Sequence, residues 1–271
     1  MKVARFGIDA GPWDAPRRWL VLAPHPDDFE VVAVTMRCLL ERGCELFLEV
    51  LTGGASGVED VFADGWEAKT AAREEEQRES CRRFGLPENS LRFHRLPEDE
   101  QGHMRDDRGN ESRVRAILDR VGPEAVVLPH GRDSNADHRR TFRYFECWRN
   151  GREAKPLALL VRDPKTLGMR LDLVTVFDQE KAAWKAELLR CHRSQHERNL
   201  RSRGIGFDER ILGVNREIGG EVGEAYAEGF ALLEAPLVSP DRPGPETAMM
   251  ELQRFSELKL ARSGRSHSIL P

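Results

Sequence analysis

The sequence predicts an α/β fold of Rossmann-like type: a mostly parallel sheet with helices on both faces and its active site at the carboxyl ends of the strands. Three observations predict it. Short, continuously apolar runs such as WLVLAP (19–24) and AVVLP (125–129) have the pattern of strands covered on both faces. Amphipathic or charged stretches alternate with them in the order βαβαβαβ, which implies right-handed crossovers between parallel strands. Gly and Pro punctuate the alternation at Gly43, Gly53-Gly54, Gly85, Pro87 and Gly122-Pro123.

Taken in order, the first strand (19–24) leads into a helix over 29–42, carried by Val31, Val32, Val34, Met36, Leu39 and Leu40 and stopped by Gly43. ELFLEVL (45–51) is the second strand. A charged stretch from Trp66 to Phe84 reads as a surface helix with Ala68, Ala71, Ala72 and Cys81 on one side. LRFHRL (91–96) is the third strand, and 111–121 a helix with Val114, Ile117, Leu118 and Val121 at three-to-four spacing. After the fourth strand (125–129) comes a helix from His138 to Trp148, then strands at 157–162 and 170–177 and one long helix over 178–199. From Val238 the composition shifts to SPDRPGPE. The domain therefore spans 1–237, and 238–271 form a linker, a short amphipathic helix (Met249, Leu252, Phe255, Leu258) and a flexible tail. That apolar face packs either within the chain or between subunits, so a homo-oligomer is left open.

Composition excludes several classes. A net charge of -4 over 271 residues gives no electrostatic reason for a nucleic-acid partner. No apolar run approaches the ~20 residues of a membrane span, and the N-terminus lacks an apolar signal-peptide core. Five scattered cysteines without a CxxC pair point to a reducing cytoplasm, and against disulfides or a cysteine zinc site.

The chemistry concentrates at strand ends. LVLAPHPDDFE (20–30) leaves a buried strand through His25, Asp27, Asp28 and Glu30, and HGRDSNADHRR (130–140) leaves another through Asp133, Asn135, Asp137 and His138. In open parallel sheets ligands bind just there. A His and an Asp three apart on a tight turn can converge on one ion. A second His from a neighbouring strand end supplies a third protein ligand and leaves a position for water. Asp27, between the two ligands of the turn, is placed to take the water's proton. Read singly, HPDD is a turn with Asp caps for the following helix, and ADHR is another cap. Both together, at the ends of two buried strands, favour a metal.

HPDD after the first strand with DHR after a later one resembles the LmbE-like or PIG-L superfamily of zinc-dependent N-deacetylases. Arg73-Glu74-Glu75-Glu76 ahead of Gly85, KAAWKAELLRCHRSQ (181–195) and YAEGF (226–230) resemble further segments of it. The resemblance implies that His25, Asp28 and His138 bind Zn2+ or another divalent metal and that Asp27 is the general base. It further implies that Arg73 and His192 meet substrate, while Asp137 stands beside the ligands without binding the ion. Two departures are visible: Phe29 stands between Asp28 and Glu30, and Asn135 occupies a position where many members carry histidine. Asn135 is therefore expected to act as a catalytic hydrogen-bond donor to the oxyanion, since an amide cannot titrate.

The activity so implied is removal of an N-acyl group, foremost N-acetyl, from a small amino-sugar derivative. The alternatives are a metal-dependent hydrolase of another ester or amide bond and a metal-binding relative without catalysis. TGGASG (52–57) reads as a Gly-rich turn, and GIGFDE (204–209) fails as a dinucleotide fingerprint. His130 and Asp133 are near enough to support the ligands, while His94, His103, His196 and His267 have no partner in the sequence pattern. RNLRSR (198–203) reads as solvated surface or the lining of an anion site.

Overall fold

The computed structural model describes residues 3–6 and 17–233. The linker, amphipathic helix and tail expected at 238–271 lie outside the described residues. Eight strands form one sheet: β1 (Ala4–Phe6), β2 (Arg18–Ala23), β3 (Glu45–Val50), β4 (Leu91–Phe93), β5 (Ala125–Pro129), β6 (Leu157–Val161), β7 (Leu173–Phe177) and β8 (Tyr226–Leu232). The helices are α1 (Ala33–Glu41), α2 (Trp66–Phe84), α3 (Arg108–Val121), α4 (Ala136–Asn150), α5 (Gln179–Arg190), α6 (Arg193–Arg203) and α7 (Phe207–Val222).

The strand order is β1-β7-β8-β6-β5-β2-β3-β4. Every pairing is parallel except those of β8, which lies antiparallel between β6 and β7. From β2 the chain first builds outward through β3 and β4, then returns to add β5 and β6 on the other side. The order reverses between β2 and β5, and a crevice forms at their carboxyl ends.

The period of two along β2 builds the two helical layers. Trp19, Val21 and Ala23 enter a core with Met36, Leu39, Phe84 and Leu188, whereas Leu20 and Leu22 enter one with Val114, Ile117, Phe145 and Trp148. Helices α1, α2 and α5 thus cover one face and α3 and α4 the other.

The single helix expected over 178–199 is two. Between α5 and α6 the chain breaks at Cys191-His192, and a distant carboxylate caps the new helix start: Glu76 of α2 accepts from Ser194 N and Ser194 Oγ, both at 2.7 Å. The segment 204–209 closes α6 at Gly204 and opens α7 at Phe207, a helix the periodicity did not anticipate, with Gly206 N donating to Glu209 Oε2 at 3.1 Å.

A buried clamp holds α1 to the sheet. Glu228 on β8, 1% exposed, accepts from Val34 N at 2.9 Å and Thr35 N at 2.8 Å, so it satisfies amides that a helix start leaves unpaired. Lys185 of α5, fully buried, donates to Glu228 Oε1 at 2.7 Å and to Val31 O at 2.6 Å. Burial pulls the Lys185 ammonium below its ordinary pKa, with Glu228 opposing.

The turn from α7 into β8 sets a test. A Cβ on Gly219 would stand 2.8 Å from the backbone of Glu224 and Tyr226, whereas one on neighbouring Gly220 would meet nothing within 4 Å. Gly219→Ala should lower the melting temperature, by an amount matching about 1–3 kcal/mol of overpacking. Gly220→Ala should be neutral or stabilising by roughly 0.5–1 kcal/mol. Thermal unfolding followed by circular dichroism measures both; equal effects would contradict this packing.

Candidate active site

The site grows from the turn after β2. Asp28 Oδ2 accepts from His25 N at 2.8 Å and lies 3.5 Å from His25 Nδ1, which folds both side chains to one side. Asp27, between them, has φ 106°, outside the ordinary range of an L-residue. Two contacts hold it there. Its N–H donates to Gln77 Oε1 at 2.9 Å, and its Oδ2 accepts from Arg73 Nη2 at 2.9 Å. The same Arg73 nitrogen donates to Pro26 O.

From the other side of the crevice, α4 brings Asp137 and His138. Asn135 caps this helix: its Oδ1 accepts from Asp137 N at 2.8 Å and His138 N at 3.4 Å. His138 Nε2 lies 3.4 Å from Asp28 Oδ1, and the two imidazole centroids are 5.5 Å apart. One donor atom from each of His25, Asp28 and His138 falls within 4.8 Å of the others. Two imidazoles and a carboxylate suit zinc and its divalent neighbours.

The far nitrogen of each imidazole is held as metal ligands require. Asp137 Oδ2 contacts His25 Nε2 at 2.9 Å, and Asp133 Oδ2 contacts His138 Nδ1 at 3.0 Å. Those contacts turn Nδ1 of His25 and Nε2 of His138 toward Asp28. A second donor trio, Asp133, His138 and Asp163, also lies within 4.8 Å. Asp133 and His138 are 1% exposed while Asp163 reaches the cleft, and the His–Asp contacts at 3.0 and 3.6 Å serve to orient His138.

Charge in the site is balanced against burial. Burial and Lys165, whose Nζ is 3.5 Å from His138 Nε2, oppose protonation of His138, but Asp28 and Asp133 outweigh them and push it up to about 9. Burial opposes the charge of His25, yet Asp137 and Asp28 raise its pKa. Burial would raise Asp28, but His138 and His25 hold it well below the carboxylate range. Burial and the nearby Asp133 raise Asp163, although His138 opposes them.

Around these groups opens a cleft of about 870 Å³, walled by the 52–57 turn, α6, the start of α7 and the loop after β6. His25, Asp27, Asp28, Asn135 and Asp137 line it, and His138 lies just beneath. Arg73 also reaches its wall but is 2% exposed, so the structure makes it first a partner of Asp27. His192 departs from its expected place. It is fully buried and outside the cleft lining, with Nε2 3.0 Å from Glu30 Oε2 and its ring edge-on to Phe207. The break before α6 turns it inward. Glu30 is equally buried and is bonded by Gln77 Nε2 at 2.8 Å and Ser80 Oγ at 2.6 Å.

Four participants escaped the sequence reading. His103 lines the cleft 3.4 Å from Asp137, Gln77 supports Asp27, and Asp163 and Lys165 come from RDPK just beyond β6. The strand-end rule that found His25 would have found the last two. His94 and His196 do have partners, Glu49 at 2.5 Å and Asp208 at 3.2 Å, whereas His130 packs on Phe142 away from the ligands.

The open sheet, its switch point and the His-Asp-His donor set define a Rossmann-like protein with a candidate metal centre at its strand ends. Residues 20–147 match the model of the PIG-L family, described as GlcNAc-PI de-N-acetylase. No curated protein matches the chain. Solved structures that share the fold include the following three. N,N'-diacetylchitobiose deacetylase from Pyrococcus horikoshii is 21% identical with a TM-score of 0.67, over 82% of this chain and 85% of that one. A deacetylase of the teicoplanin biosynthesis pathway is 14% identical with a TM-score of 0.63, over 83% of this chain and all of the other. The 4-carboxy-2-hydroxymuconate hydratase of Pseudomonas putida is 20% identical with a TM-score of 0.59, over 83% and 100%.

Two tests follow from this geometry. A divalent ion needs neutral imidazole, whereas without metal His138 stays protonated up to about pH 9. Zinc affinity of chelator-stripped protein should therefore climb from pH 6 toward pH 9, by about tenfold per unit for each proton displaced. Calorimetry in two buffers of different ionisation enthalpy should register proton release, and His138→Ala should bind far more weakly. A flat pH profile would remove His138 from the ligand set. The second test separates the two ends of Asn135. Asn135→Ala loses the cap, costing about 1 kcal/mol. Asn135→Asp keeps the capping oxygen, loses the amide donor and adds a negative charge that an oxyanion would not tolerate. Should Asn135→Asp match the native protein in turnover, the residue is a cap and no more.

Proposed function

We propose that the protein is a metal-dependent hydrolase that removes an N-acyl group, foremost N-acetyl, from an amino-sugar derivative. The observation that carries this reading is the meeting of His25, Asp28 and His138 beside Asp27 at the floor of an open cleft. The PIG-L match over 20–147 supports the same reaction class, as do the two deacetylases that share the fold.

A divalent ion held by the three ligands would polarise the amide carbonyl and make water acidic enough to attack near neutral pH. The chain's own groups do the rest. Arg73 occupies Oδ2 of Asp27, which leaves Oδ1 to take the water's proton and later hand it to the departing amine. Asn135 lines the cleft with its oxygen engaged in the cap, so its Nδ2 is the end that would serve the developing oxyanion. Asp137 and Asp133 hold the two imidazoles in register through the cycle.

The hydratase among the similar structures supports a second reading, addition of water to a carbon–carbon double bond, because one fold carries both chemistries. Product analysis separates them: deacetylation releases acetate and a primary amine, whereas hydration releases neither. Asp27→Asn should retain fold and metal while turnover falls by about 10²–10⁴-fold. Stopped assays on N-acetylglucosamine derivatives, with amine detection and metal analysis of the same samples, measure this. Near-native turnover by the metal-loaded variant would assign the base elsewhere.

A further inference from the structure

The outer half of the cleft carries cations that the hydrolytic machinery does not use. Arg198 and Arg203 of α6 and Arg210 of α7 all line it. On α6 the residues lining the cleft are Gln195, Arg198, Asn199, Ser202 and Arg203, a stripe at one-turn spacing. Pairing differs sharply between the faces of this helix. Arg201, turned away, is neutralised by Glu59 and by Glu197 at 3.2 Å. Arg190 at the end of α5 pairs with Asp208 at 2.7 Å. Among the described residues, no carboxylate pairs with Arg198, Arg203 or Arg210; Arg198 donates only to Gly57 O, at 3.1 Å.

The three lie close enough to act on one another. Burial is the main cause that lowers the pKa of half-buried Arg210, and Arg203 and Arg198 lower it further, against Asp163 and Asp27. Arg210, on the cleft wall, therefore feels both the acids of the floor and the other two arginines. The floor's acids have their own partners: Asp27 has Arg73, Asp28 the two imidazoles, and Asp137 His25 and Met104 N. The C-terminal dipole of α6 favours a cation at Arg203 but explains neither Arg198 nor Arg210. Three guanidiniums lining one cleft without a paired acid repel one another, and an anionic ligand removes that cost through charge-assisted forks.

We propose that Arg198, Arg203 and Arg210 form a subsite for a phosphate or carboxylate group on the substrate, carried on the part remote from the bond that is cut. On the deacetylase reading, the substrate class becomes an N-acyl amino sugar with an anionic substituent. The subsite itself does not depend on that reading.

Calorimetric titration tests it with N-acetylglucosamine 1-phosphate, N-acetylmuramic acid and the uncharged methyl glycoside of N-acetylglucosamine, on zinc-loaded and chelator-stripped protein. At least one anionic sugar should bind about 10–100-fold more tightly than the glycoside, as hydrogen bonds between charged groups allow. Which of the two does so distinguishes phosphate from carboxylate. The preference should shrink toward unity in Arg203→Gln with Arg210→Gln, weaken with salt, and survive in Arg201→Gln. Pyrophosphate alone, titrated into stripped protein, should bind and should lose binding in the double variant. Equal binding of charged and neutral sugars overturns the proposal. A preference that persists in the double variant but vanishes on chelation also overturns it, because the anion then sits on the metal. If the arginine-dependent preference holds but no sugar releases acetate, the subsite stands and the deacetylase reading falls.

Discussion

The architecture of the site depends on one buried carboxylate. Glu228 reaches from an antiparallel strand to the first amides of α1, and so decides where the β2–α1 turn ends. An uncompensated anion there would be costly, and Lys185 supplies the counter-charge while also binding Val31 O. Removing either partner leaves the other charged in a dry core, a loss of about 3–5 kcal/mol. The single antiparallel strand thus has a task that parallel strands at this point cannot perform. It runs back between β6 and β7 and delivers Glu228 to the start of α1, the helix that follows the turn carrying His25, Asp27 and Asp28.

From that anchor, support passes outward in short polar steps. Gln77 is the hinge of the arrangement: its carbonyl receives the amide of Asp27 and its amino group binds Glu30. Glu30 in turn faces His192 and is held by Ser80. Helix α2 therefore supports the turn from one side, and α4 supplies the second imidazole from the other. The PIG-L segment, 20–147, contains both halves of the donor set, whereas the clamp of Lys185 and Glu228 lies beyond it.

Much of this was legible in the chain before folding, and the reason is local. The apolar runs of β2 and β5 and the ionisable residues just past them occupy adjacent sequence, so strand-end chemistry is readable directly. What escaped was set by partners far away. Nothing near His192 announces that Glu76, 118 residues earlier, will cap α6, break the helix and turn the imidazole inward. Nothing near Gln77 marks it as the acceptor for Asp27, 50 residues away. The antiparallel placement of β8 likewise depends on α7, whose core residues Ile211, Leu212, Ile218 and Val222 sit among glycines and charges that blur the helical period.

The backbone at Asp27 has a consequence for how this chain can change. At φ 106° an L-residue is strained by about 1–3 kcal/mol, and glycine alone is at ease there. Glycine would relieve the backbone there but strip the buried Arg73 guanidinium of its carboxylate partner, so backbone ease and charge balance pull residue 27 in opposite directions. On the proposed reading, the acid stays because both its charge and its strained turn are needed at this point.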